Sequence, residues 1–216
     1  MIVVDIECVS VGNVSEFYDP PKPDGRLTDP VKIEADIFKK MAEREAEAAL
    51  FPWTAQVIAI GTCDGGDAVK SVLINSEAGE IAGLKELWES VWDRRTNAVT
   101  PLVTYNGLKY DLPVLLARSR LLGVPAPDLN LDRYRSPHPD LMQILSFRGA
   151  IEFRSLKFFA RRFGLDTSDA FSGREVAQLY SAGDWDSIRK HVESDVTLTR
   201  LLAERVGILK PVSRAA

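Results

Sequence analysis

The residues IVVDIECV at positions 2–9 constrain the fold more than any other stretch of the chain. β-Branched residues dominate it, and it reads as a strand. Side chains alternate across a strand, so Asp5 and Glu7 emerge on one face and Val4, Ile6 and Cys8 on the other. The run is apolar enough for a central strand, where two like charges need compensation. Buried carboxylates this close repel, and one takes up a proton unless a cation balances the pair. A divalent ion that prefers oxygen ligands, magnesium or manganese, answers that need. An edge strand with a solvated face would carry the same pattern.

Further along, AQVIAIGTC (55–63), the turn DGGD (64–67) and AVKSVLI (68–74) predict a hairpin. Residues 80–95 place Ile81, Leu84, Leu87, Trp88 and Val91 at helical spacing. LVTYN (102–106) is a short strand leading into a helix over 110–123, which stops at Gly123 ahead of Pro125 and Pro127. Helical patterns follow over 139–149, 154–163 and 174–207, the last interrupted by SAGD at 181–184. Strand, hairpin, helix, strand, helix and then several helices imply an α/β fold with a mixed sheet. Between the first strand and the hairpin, residues 12–54 form an insertion of proline-rich loop and charged helix (31–50). That helix is expected to pack through Ile33, Ile37, Met41 and Leu50, with a flap beside the first strand as the alternative.

Two more segments carry chemistry. In VTYNGLKYDLPVLLAR (103–118), Asn106 and Gly107 end a strand and Asp111 opens a helix, at the sheet edge where sites commonly form. An aspartate there also suits the helix dipole without further purpose. In HVESD (191–195), His191 and Asp195 stand four apart and share one helix face, while Glu193 points elsewhere. Alone, such a pair is an ordinary exposed couple.

With 216 residues, the chain fits one domain, 1–216, with the 12–54 insertion inside it. Its net charge of −4 gives no long-range attraction to nucleic acid, so such binding needs a local basic patch or metal ions. Between Arg133 and Arg162, seven Lys/Arg face two acids, as a phosphate track or a solvated helix face. Phe153, Phe158, Phe159 and Phe163 in that region are expected in the core, and Trp53 is a weaker stacking candidate. Cys8 and Cys63 each sit in an apolar run and are expected as buried, reduced thiols. No apolar segment approaches membrane-spanning length, and a cytoplasmic protein is expected.

Taken in order, Asp5-x-Glu7, Asn106-Gly-Leu-Lys-Tyr-Asp111 and His191-x-x-x-Asp195 resemble the DEDD superfamily of 3′–5′ exonucleases, with its ribonuclease-H-like fold. PWTAQVIAIG, PDLMQILS and RSLKFFARRFGL extend the likeness toward the proofreading exonuclease domain of family-B DNA polymerases. The resemblance implies a mixed β-sheet flanked by helices, with the helical insertion after strand 1. It also implies two divalent cations, Mg²⁺ or Mn²⁺, held by Asp5, Glu7, Asp111 and Asp195.

His191 would orient or deprotonate the attacking water. Here the chain departs from the pattern. The superfamily's histidine branch spaces its histidine five before the last aspartate, and its tyrosine branch a tyrosine four before; this chain has histidine at tyrosine spacing. Substrate contacts are expected from Asn106, Gly107, Tyr110, Arg154 and Lys157. His138 is expected in a loop, and Asp140 near the site without being a ligand. The implied activity is release of nucleoside 5′-monophosphates from the 3′ end of single-stranded DNA, with a polymerase or another replication or repair protein as a possible partner. An exoribonuclease, or a non-catalytic nucleic-acid-binding module on the same fold, are the alternatives.

Overall fold

The computed structural model describes all residues except 13, 65, 67, 169–174 and 212–216. Its centre is β1 (Ile2–Ser10), flanked by β2 (Ala55–Cys63) and β6 (Leu102–Val103) in a four-stranded sheet that ends on β3 (Lys70–Leu73). β1 runs antiparallel to β2 from Val3↔Cys63 to Ser10↔Ala55 and parallel to β6, and β2 runs antiparallel to β3. The sheet is therefore mixed, as the element order requires.

The alternation in β1 sorts the two faces of the sheet. Val4 and Ile6 join the core beneath α2 (Glu77–Val91) and α3 (Asp111–Leu121), which holds Leu84, Trp88, Leu112 and Leu115. Val3 and Val9 face the other way. Val3 meets Val196 and Leu202 of α7 (Trp185–Arg205) and Leu156 of α5 (Leu156–Arg162). Val9 packs with Val192 of α7 and Val176 of α6 (Val176–Ala182). Gly183, at φ 70, stops α6, and Asp184 then caps α7 by accepting the Ser187 N–H, so the SAGD interruption is a helix-to-helix break.

The β1–β2 ladder is irregular between Glu7 and Cys8, whose partners are Ala59 and Val57, so Ile58 is skipped. Beside this bulge the Val57 N–H donates to Glu80 Oε1, and Glu80 is gripped by Arg118 through two bonds of 2.7 Å. Trp88 Nε1 donates to Ser119 in the same buried layer.

Several sequence expectations change. The helix expected over 80–95 runs Glu77–Val91 with Ser76 as its cap; Trp92–Asp93 (β4) instead pairs with Ala98–Val99 (β5). The helix expected over 139–149 shrinks to Leu141–Leu145 (α4), because Phe147 and Arg148 adopt left-handed backbone. In the insertion, α1 (Pro30–Glu47) is capped by Asp29, but Met41 and Leu50 are exposed, as are Val31 and Phe38 at 75% each. Of the residues expected to pack it, only Ile33 and Ile37 are half-buried. Phe153, Phe158 and Phe163 are also exposed, and only Phe159 packs against the core. Cys63 is buried, whereas Cys8 is half-buried; both are free thiols. Among the described residues, no helix is long and apolar enough to cross a membrane.

Candidate active site

Three distant segments deliver the charged side chains. β1 places Asp5 and Glu7 on the face covered by α7. Opposite Asp5 in the ladder stands Gly61. A Cβ at Gly61 would lie 2.7 Å from Val196 Cγ2 and 2.9 Å from Val192 Cγ2. A bare backbone here therefore lets α7 lie directly on the sheet. Its residues immediately before those valines, His191 and Asp195, come down beside Glu7.

His191 is buried, with Nε2 3.4 Å from Glu7 Oε1. Ligand-capable atoms of Glu7, His191 and Asp195 all lie within 4.8 Å of one another. Sequence spacing casts His191 as a water-handling residue beside four carboxylates; the geometry puts it inside the tightest group of potential ligands.

Asp111 comes from the other side. β6 pairs with β1 only at Ile2 and Val3, after which its chain turns away. The edge of β1 is thereby left for the first residue of α3. Asp111 is buried there and accepts backbone hydrogen bonds from its own N–H and from Ile6. Burial nevertheless pushes its pKa up to about 7, and the charges of Asp140 and Asp195 add to the rise. Burial also drives Asp5 well above the usual carboxylate range, followed by repulsion from Asp111, Asp195 and Glu7. The four carboxylates thus sense one another across three segments. Hard oxygen donors that are wholly or half buried and mutually repelling suit divalent cations well.

A supporting layer fixes the approach to this cluster. Asp140 bridges to Thr104, and its carboxylate accepts N–H bonds from Asn106 and Leu108 as well as Met142 and Gln143 at the start of α4. With four donors, it organises the 106–108 turn beside Asp111. Asn106 sits at φ 67, and a Cβ at Gly107 would fall 2.3 Å from Thr104 Oγ1, so only glycine fits. His138 lies in a loop as expected, but is buried, its Nδ1 accepting the Leu102 N–H at 3.1 Å. Burial holds its pKa below the ordinary imidazole value, consistent with that neutral acceptor role.

The expected substrate contacts are more dispersed. Asn106 borders an open groove beside α3. The Tyr110 ring is half-buried against the core, and its hydroxyl donates to the Ala49 carbonyl at the end of the insertion. Arg154 is exposed, 2.7 Å from Glu152 and over the Phe158 ring. Lys157 is half-buried in the first turn of α5. Trp53 is exposed. Sequence reasoning missed Gly61, although a glycine inside an apolar strand signals close backbone approach. It also missed Glu80 and Arg118, whose pairing across 38 positions leaves no local mark.

Comparison with known proteins then separates family from fold. Residues 53–211 match a family described as predicted 3′–5′ exonucleases related to the exonuclease domain of PolB. The chain belongs to this family. The match with these PolB-related exonucleases begins after β1, so Asp5 and Glu7 lie outside it and join the site through the fold. That fold is shared with the family B DNA polymerase of the hyperthermophilic archaeon Pyrobaculum calidifontis, at TM-score 0.61 and 17% identity. The likeness covers 95% of this chain and 24% of the polymerase, so the chain spans about a quarter of that protein's length. No curated protein sequence matches.

Proposed function

We propose that the protein is a metal-dependent 3′–5′ exonuclease acting on single-stranded DNA and releasing nucleoside 5′-monophosphates. The observation that carries this reading is the convergence of buried Glu7 and Asp111 with half-buried Asp5 and Asp195, mutually repelling, at the vacated edge of β1. These residues would hold two divalent cations, Mg²⁺ or Mn²⁺. Such cations would supply the Lewis acidity that activates water and steadies the departing 3′ oxygen. His191, whose Nε2 lies 3.4 Å from Glu7 Oε1, would orient the attacking water or take its proton. Asn106, Gly107 and the ring of Tyr110 would border the terminal nucleotide, with Arg154 and Lys157 reaching toward phosphates. All 216 residues act in this reading as one exonuclease domain that carries the 12–54 insertion, in the cytoplasm, where free Cys8 and Cys63 suit a reducing setting.

Asp5→Ala or Asp111→Ala should abolish degradation of a 5′-labelled oligonucleotide in manganese; undiminished activity would overturn the site. Matched DNA and RNA strands digested side by side distinguish this enzyme from an exoribonuclease. Tight strand binding in EDTA without cleavage in either metal would instead mark a non-catalytic binding module.

The grouping of His191 with Glu7 and Asp195 favours a second role for the imidazole, as a ligand. A His191→Ala enzyme tests both. Loss of the base flattens the neutral-pH limb of the rate profile, whereas loss of a ligand raises the manganese concentration needed for half-maximal rate. Turnover unchanged on both counts excludes His191 from the chemistry.

A further inference from the structure

Beside the N-terminal end of α3 lies a groove of about 740 Å³ that runs from Asn106 and Lys109 past Gln143 and Phe153 to Tyr134. At its far end Tyr134 is 59% exposed. Two guanidiniums stand over its ring, Arg133 at 5.4 Å and Arg148 at 5.6 Å from its centroid. Both are pinned. Arg133 Nη2 donates to Gln143 Oε1 and to the Arg148 carbonyl, and Arg148 Nη1 donates to the Tyr134 carbonyl. Neither forms an ion pair among the described residues; the neighbouring Asp132, whose Oδ1 accepts the N–H groups of Tyr134 and Arg135, lines the same groove. In a chain of net charge −4, this end of the groove holds a fixed pair of cations against one carboxylate.

The backbone is bent to make this arrangement. Phe147, Arg148 and Gly149 are consecutive left-handed residues at φ 52, 61 and 88, and a Cβ at Gly149 would fall 2.9 Å from Arg133 Nη2. Strain of this kind persists where a turn serves as a ligand clamp. Exposed Phe147 and Phe153 add apolar rings nearby.

We infer that this groove is the track of the strand upstream of the 3′ terminus. Tyr134, with Arg133 and Arg148 beside its ring, is the platform on which a base stacks, and the two guanidiniums are the counter-charge for the flanking phosphates. An accessible ring framed by cations suits an unpaired base, since bases within a duplex hide their faces. The placement rests on the exonuclease reading, which puts the 3′ terminus beside Asn106.

Binding is read by fluorescence anisotropy in EDTA, with a labelled oligothymidylate of about 12 nucleotides. Tyr134→Ala should weaken it about 5- to 100-fold, and Tyr134→Trp should retain wild-type affinity. In manganese, the p-nitrophenyl ester of thymidine 5′-monophosphate, which has no upstream nucleotide, should be hydrolysed equally by wild type and Tyr134→Ala. Undiminished oligonucleotide binding by Tyr134→Ala overturns the platform. So does displacement of the oligonucleotide by polyglutamate of equal charge, which would assign the patch to acidic peptides. Loss of ester hydrolysis in Tyr134→Ala overturns the upstream placement. If wild type cleaves neither substrate while Tyr134→Ala still loses binding, the exonuclease reading falls and the stacking platform stands.

Discussion

Two buried clusters of carboxylate chemistry lie on opposite faces of the β1–β2 ladder, and they are built on opposite terms. On the α2–α3 face, Glu80 is fully buried yet fully answered, by both nitrogens of the Arg118 fork and by the Val57 N–H. On the α7 face, Asp5, Glu7, Asp111 and Asp195 are assembled where burial, and then repulsion, raises the pKa values of Asp5 and Asp111. The first holds the fold together, and the second is tolerated because the rest of the fold imposes it. A carboxylate's burial therefore says little about its purpose until its partners are counted.

Breaking the answered cluster should have the largest effect. Glu80→Gln leaves the Arg118 charge buried without its counter-ion, a loss of about 3–5 kcal/mol. At about 2–4 °C per kcal/mol for a chain of this size, calorimetry should register a fall in Tm of roughly 10 °C. A Tm within a degree or two of wild type would mean that water already reaches the pair.

A smaller loss is expected from Gly61→Ala, which drives a methyl group into Val192 and Val196 of α7. Overpacking of this kind costs about 1–3 kcal/mol. Because it lifts His191 and Asp195 away from Glu7, the manganese concentration for half-maximal cleavage should rise with the drop in Tm. A lower Tm with unaltered metal dependence would separate the α7 contact from the site.

The smallest effect sharpens the contrast through pH. Asp111 keeps its proton in the folded state up to about pH 7, whereas an unfolded aspartate releases it near 4. The folded state binds more protons across that window, so this group's contribution to stability is full below it and is lost as pH rises through about 7. His138 runs the other way. Its pKa is depressed, so its contribution is present above about 6.5 and lost as pH falls through the folded value. In EDTA, Tm should therefore decline by a few degrees between about pH 6.5 and 8, where only the carboxylates act. Asp111→Asn should flatten that decline, and manganese should reverse it. A Tm that climbs over this range in EDTA would show the carboxylates already compensated within the protein.

Much of the fold was legible because its signals are local. Alternation in β1 separated Asp5 and Glu7 from Val4 and Ile6, and helical spacing put His191 and Asp195 on one face. SAGD announced the break between α6 and α7. What escaped depends on partners remote in sequence. The Asn106 and Leu108 N–H bonds to Asp140, the Arg118 fork on Glu80 and the Tyr110 bond to Ala49 leave no trace in a short window. The truncation of α4 was hidden because Phe147 and Arg148, neither glycine nor asparagine, carry its left-handed exit. The exposed phenylalanines around α5 were misread because hydrophobicity alone does not say which face a short helix turns to the core.

The edge of the sheet at β6 has one more consequence. Segment 138–140 lies along it as a substitute strand, with an imidazole nitrogen accepting the Leu102 N–H and the Pro139 carbonyl accepting the Thr104 N–H. Pro137 and Pro139 have no N–H, and the His138 N–H is already donated to Ser136 Oγ. A second polypeptide meeting that rim finds an interrupted row of donors and no template to extend, so the seam beside the carboxylates also guards against the strand-by-strand growth that aggregates exposed sheets.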